Sequence, residues 1–86
     1  MSFRIDRAGD EFQIILRVEG RLLGREAEQV LREQIVRAVS EKGHVVLDVA
    51  GITVIDSGCL AIIESGLGDW LSVEGGGAYL NMLLGR

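Results

Sequence analysis

The chain has 86 residues, is 48% hydrophobic and 26% charged, and carries a net charge of −4 and a single cysteine. That is the balance of one small globular domain (residues 1–86) with enough apolar mass for one core, and it argues against disorder. An acidic chain with scattered basic residues lacks the concentrated positive face that nonspecific binding to nucleic acid or an anionic membrane needs, and one cysteine makes no internal disulfide and no cysteine-based zinc site.

The start, Met1 to Asp6, has charge where a signal peptide needs an apolar segment. No apolar run approaches the ~20 residues that span a bilayer. The expectation is a reduced cytoplasmic protein with no direct membrane insertion and no cofactor.

Phe3 and Ile5 alternate with Arg4 and Asp6, which predicts a half-buried strand over Ser2–Arg7. Ala8 to Glu11 reads as a turn, and Phe12–Leu22 as a second strand with Phe12, Ile14, Leu16 and Val18 on one face. The two strands are close enough to pair as a hairpin. After Gly24, the spacing of Ala27, Val30, Leu31, Ile35, Ala38 and Val39 predicts a helix over Arg25–Lys42. Glu28 with Arg32, and Glu33 with Arg37, are i,i+4 pairs in the favourable order, and Gly43 is placed to end the helix.

Val45–Val49 is a β-branched apolar run that predicts a strand buried on both faces. Ile52 to Ile55 is a second short apolar run leading to Asp56. From Ser57 a second helix is predicted to Val73, carried by Leu60, Ile63, Leu67, Trp70 and Leu71 at helical spacing and weakened by Gly66 and Gly68. Gly75, Gly76 and Gly77 stop it. Ala78–Leu84 reads as a last strand.

The expected fold is therefore α/β, in the order β-β-α-β-α-β. Right-handed crossovers make the last three strands parallel and leave the first antiparallel, in a four-stranded mixed sheet with both helices on one face. The uncovered face is expected to be apolar and so to seek a partner, such as a second copy of the chain in a homodimer.

The passage from Val45 to Ala61 concentrates the functional signal. A strand ends at Asp56-Ser57, where a helix begins, so the serine hydroxyl lies beside free backbone N–H groups and the positive end of a helix dipole. Ser57 is suited to cap the helix, to accept a phosphate, or to face a partner protein. Asp56 reads either as a turn residue bonding neighbouring amides or as a group that positions the hydroxyl.

These residues resemble the STAS domain, the family of anti-sigma-factor antagonists and of the cytoplasmic tails of sulfate transporters. The likeness runs from about Ile14 to Leu84. It is most specific where an apolar strand and a short apolar return lead to Asp56, Ser57, a small residue (Gly58) and Leu60. Cys59 replaces the usual glycine, and the chain stops after the fourth strand where the family commonly adds a helix, so it resembles a member shortened at the C-terminus. In the antagonist branch the corresponding serine is phosphorylated by a partner kinase, and the resemblance carries that role to Ser57.

The resemblance thus implies a bacterial, cytoplasmic, non-enzymatic phosphoprotein in transcription regulation. Its partner would be an anti-sigma factor serine kinase, bound through Thr53, Asp56, Ser57, Gly58, Cys59, Leu60 and Glu64. The alternative is a STAS subunit that docks on a membrane-transporter ATPase, with Ser57 only a helix cap or contact.

Other candidates carry less. Ser57 with His44 and Asp48 or Asp56 would be a nucleophile set, but His44 begins the strand near whose end Asp48 lies, at the opposite sheet edge from Ser57, too far for a proton relay. Cys59 reads as a small buried residue or as a thiol activated by the helix start. Gly75 to Gly77 lacks the lysine of a phosphate loop and follows a helix rather than preceding one. Trp70 is a packing residue or a partner anchor.

Overall fold

The computed structural model describes residues 2–66 and 69–76. Strand β1 (Phe3–Gly9) pairs antiparallel with β2 (Ile14–Leu22) as a hairpin. The turn lies between Asp10 and Gln13 and is held by the Asp10 side chain, whose Oδ1 accepts from the amides of Phe12 (2.8 Å) and Gln13 (3.1 Å). That turn takes Phe12 out of the strand in which its spacing had placed it and leaves it 81% exposed.

Helix α1 (Gly24–Lys42) buries Ala27, Leu31, Ile35 and Ala38, the i, i+4, i+8, i+11 stripe of an amphipathic helix. It ends at Gly43, whose φ of 78° is left-handed and whose amide donates to the Val39 carbonyl at 2.7 Å. The two expected i,i+4 ion pairs do not close among the described residues. The Glu28 carboxylate instead lies against Gly58, and Glu33 accepts from Gln29 Nε2 at 3.3 Å. The far end of α1 is tied to the hairpin, where Arg7 pairs with Glu41 at 2.6 Å and Lys42 Nζ donates to the Glu11 carbonyl.

Val45–Ile55 is one continuous strand, β3, and not two runs. It lies parallel to β2, but β3 takes 11 residues where β2 takes 9. The surplus enters at two bulges. Asp48 to Gly51 spans the interval from Arg17 to Glu19, and Ile52 to Val54 the interval from Gly20 to Arg21. Each extra residue breaks the period-2 alternation, so the core-facing positions run Val45, Leu47, Val49 and then Ile52 and Ile55, while Val46 is buried on the other face.

Helix α2 (Ser57–Gly66) is shorter than its spacing predicts, and Leu71–Glu74 is the fourth strand, β4, parallel to β3. The last turn of α2 buries Gly66, and the ring of Trp70, partly buried on the core, rests there: a Cβ at Gly66 would come 2.5 Å from it. Leu71 and Val73 thus belong to the sheet, although their spacing continues that of the helix. The strand expected at Ala78–Leu84 lies outside the described residues, as does Leu67.

The sheet order is β1-β2-β3-β4, giving the β-β-α-β-α-β order and mixed four-stranded sheet. The helices contact each other, and α1 packs on β2 and β3. The core is the inward row Ile14, Leu16, Val18, Val45, Leu47, Val49 and Leu71 against the buried stripes of both helices. The opposite side of the sheet, which was expected to be apolar, is apolar only in part, at the paired Ile15 and buried Val46. It carries Arg4 paired with Asp6 (2.9 Å) and Glu19 (3.5 Å), and Arg17 paired with Asp48 (3.4 Å). Alternation on β1 and β2 turns these charges away from the helices, because the partners that share a face are Arg4 with Glu19 and Asp6 with Arg17.

Candidate functional site

The register of β2 and β3 decides where the site lies. Leu22 pairs with Ile55, and the Asp56 amide donates to the Leu22 carbonyl at 3.0 Å, so both strands end together and their helices start side by side. Both Leu22 and Ile55 are buried, which anchors this edge of the sheet in the core.

Asp56, and not Ser57, caps α2. Its Oδ1 accepts from the Cys59 amide at 2.9 Å, the N3 position of the helix, and its own carbonyl takes the first helical bond from Leu60 at 3.0 Å. Its Oδ2 accepts from the Gly24 amide at 2.7 Å, at the start of α1. Leu23, which precedes that helix, offers no capping side chain, so one carboxylate serves both helix starts. Amide donors, first from Cys59 and then from Gly24, hold the Asp56 carboxyl below the usual carboxylate range.

Ser57 occupies the first helical position and is exposed. Its hydroxyl makes no hydrogen bond among the described residues, since the capping work falls to its neighbour. It therefore presents a free oxygen to solvent at the positive end of a helix dipole.

The other residues singled out from the sequence divide by exposure. Thr53 and Glu64 are exposed, and Thr53 Oγ1 donates to the Gly20 carbonyl at 3.2 Å. Gly58 and Leu60 are half-buried, with Leu60 packed against the core. Gly58 lets α1 come close, because a Cβ there would sit 2.5 Å from Glu28 Oε1. Cys59 is fully buried and points into the core with Ile62 and Ile63. It is not a surface contact, which corrects its place among the partner-binding residues. Burial, then the neighbouring Asp56 carboxylate, pushes its thiol up to about 12, the opposite of an activated cysteine.

The nucleophile set weighed from the sequence is not assembled. His44 precedes β3 and Ser57 follows it, so roughly 30 Å of strand separates them. His44 Nε2 lies 2.9 Å from Ser72 Oγ instead. Among the described residues no group of histidine, cysteine and carboxylate side chains is arranged to hold a metal ion, and no helix is long and apolar enough to cross a membrane.

Sequence reasoning missed two parts of this surface. One is the β2–α1 junction, where Leu23 is 40% exposed beside the Gly24–Asp56 bond. The other is a groove of about 420 Å³ between the helices, whose walls include Gly58, Ile35, Val36, Ala61, Ile62 and Trp70. The pairing of α1 with α2 creates both, and no local pattern announces it.

A family model of the STAS domain matches residues 4–67. The crystal structure of an antisigma-factor antagonist, a STAS domain from Rhodobacter sphaeroides, aligns with a TM-score of 0.57 and 17% sequence identity, over 85% of this chain and 86% of that one. At that identity the likeness is one of fold. Among curated proteins, no relative matches. The matched stretch contains every element that positions Asp56 and Ser57, from the hairpin through α2, and the fold agrees with that of a solved STAS domain: the chain belongs to the STAS domain family.

Proposed function

We propose that this STAS domain is a non-enzymatic regulatory interaction module of the anti-sigma-factor antagonist type, switched by phosphorylation of Ser57. Its partner is an anti-sigma factor serine kinase, and its place is the bacterial cytoplasm, in transcription regulation. The observation that carries the reading is the division of labour at the helix start: Asp56 caps, so the exposed Ser57 hydroxyl is left for a partner. The fold shared with an antagonist STAS domain supports it.

The partner surface comprises Thr53, Asp56, Ser57, Gly58, Leu60 and Glu64, with Leu23 and the mouth of the inter-helix groove beside it. In the switching step the Ser57 oxygen attacks the γ-phosphorus of ATP held by the kinase. The new O–P bond forms as the bond to the ADP oxygen breaks, and the hydroxyl proton passes to the kinase. The phosphoserine adds ~1.5–2 negative charges. The helix dipole tolerates them in the free domain, whereas in a packed interface next to Asp56 they cost desolvation and repulsion. Release of the partner without unfolding follows.

The test pairs the domain with an anti-sigma kinase and ATP. Phosphate should appear on Ser57 by mass spectrometry and be absent from Ser57→Ala. Ser57→Asp should weaken kinase binding while its melting temperature stays near that of the wild type. Equal binding by wild type and Ser57→Asp rejects the switch. Co-purification with a transport ATPase that tolerates Ser57→Ala would assign the chain to the transporter-docking alternative.

A further inference from the structure

The outer edge of the sheet carries an inference independent of Ser57. β1 is the terminal strand, and no strand among the described residues pairs with its far side. The direction in which each of its backbone groups points follows from two bonds: the Arg21 amide donates to the Ser2 carbonyl (2.9 Å) and the Asp10 amide to the Gln13 carbonyl (3.0 Å). In an antiparallel ladder hydrogen-bonded and non-hydrogen-bonded pairs alternate, so Ser2, Arg4, Asp6, Ala8 and Asp10 turn their N–H and C=O toward β2. Phe3, Ile5 and Arg7 turn theirs outward, a row of donors and acceptors unmet among the described residues and of the kind that recruits another strand.

The charges on β1 choose the partner and the register. Arg4 and Asp6 share the face away from the helices, with Ile5 between them on the helix side, half-buried against the core. We propose that two copies of this chain associate through β1, antiparallel about a two-fold axis at Ile5, so that their two four-stranded sheets become one continuous sheet. In this register Ile5 meets Ile5 of the second copy as a hydrogen-bonded pair, which its outward backbone groups require. Arg4 of each copy opposes Asp6 of the other, and Phe3 opposes Arg7.

Of the neighbouring two-fold registers three fail on charge, and the fourth, centred on Phe3, sets Arg4 against Ser2 and gains no ion pair. A shift of the axis by half a step one way sets Arg4 against Arg4, and the other way Asp6 against Asp6. A full step toward the turn sets Arg7 against Arg7. Like charges directly opposite on paired strands repel. The Arg4–Asp6 pair within each copy becomes an alternating set of four charges. The occupant is therefore a second copy meeting the strand edge, and not one covering the charged sheet face.

The test is solution mass by light scattering or sedimentation from micromolar to millimolar chain, on wild type, Arg4→Asp and Asp6→Arg, with circular dichroism to confirm folding. Wild type should reach twice the chain mass with rising concentration. Each variant alone sets two like-charge pairs across the axis and should dimerise roughly tenfold more weakly or worse. An equimolar mixture of the two variants restores an arginine opposite an aspartate at both positions and should recover the dimer. Ser57→Asp should leave it unchanged. A wild type that stays monomeric throughout overturns the proposal, as do variants that dimerise like wild type or a mixture that fails to recover.

Discussion

The carboxylate of Asp56 accepts the backbone amide of Gly24, 32 positions earlier in the chain, at 2.7 Å, while its other oxygen caps α2. Two helix starts from two different crossovers are thus held on one side chain. The Ser57 surface is rigid to the extent that this carboxylate stays charged and in place.

Replacing it should be costly. Asp56→Ala removes an N-cap, about 1 kcal/mol, and strands the Gly24 amide, for a total of roughly 1–2 kcal/mol. At about 4–8 °C per kcal/mol for a domain of this size, the fall in melting temperature is easily read by calorimetry. Asp56→Asn keeps an acceptor oxygen and should lose less.

The same residue sets a pH dependence. Its folded-state pKa is lowered, first by the Cys59 amide and then by that of Gly24. Such a group adds stability that is complete above the unfolded value near ~4 and disappears as pH falls through the lower folded value. In urea titrations the advantage of wild type over Asp56→Asn should be constant at neutral pH and shrink once pH drops below about 4. A gap that widens on acidification would contradict the assignment.

Ser57 should behave in the opposite way. Its side chain makes no capping bond, so Ser57→Ala should shift stability by no more than about 0.5 kcal/mol, the range of ordinary surface changes. A loss near 1 kcal/mol would mean that the serine shares the cap. The pair of substitutions at 56 and 57 therefore separates the cap from the free hydroxyl in one denaturation series.

Cys59 offers a chemical check on the packing of the site. With its thiol buried and pushed up to about 12, the folded domain at pH 8 should resist iodoacetamide, and urea should release one alkylated cysteine by mass. The unfolded thiol ionises near 9.0 while the folded one stays protonated to about 12. This group therefore favours unfolding as pH rises through that window, and Cys59→Ala should lack that component of alkaline destabilisation.

Much of this was legible in the residues. The hairpin, the long first helix, the parallel order and the helix start at Ser57 all follow from local spacing and glycine breaks. β3 was not, because its bulges move burial from Val49 to Ile52 and Ile55, which no two-residue period describes. The true stripe of α2, Cys59, Ile62, Ile63 and Gly66, has ideal i, i+3, i+4, i+7 spacing. The same run also fits the stripe through Leu60, Ile63, Leu67, Trp70 and Leu71, and spacing alone does not choose between the two, although the reading of Cys59 as a small buried residue agrees with the first. Choosing Asp56 over Ser57 as the cap turns on which of two adjacent side chains reaches the Cys59 amide, and distance along the chain hides the second bond, from Asp56 to the Gly24 amide.

The irregularity of β3 has a consequence for variation in this chain. Side chains swap faces with every residue along a strand, so deleting one residue between Gly51 and Val54 would swing Ile55 outward and deliver the next helix half a strand-turn out of phase. The orientation of Ser57 is thus written upstream, in the spacing of a few unremarkable positions. A copy of the chain could keep Asp56-Ser57 letter for letter and still aim the serine at the wrong side of the molecule.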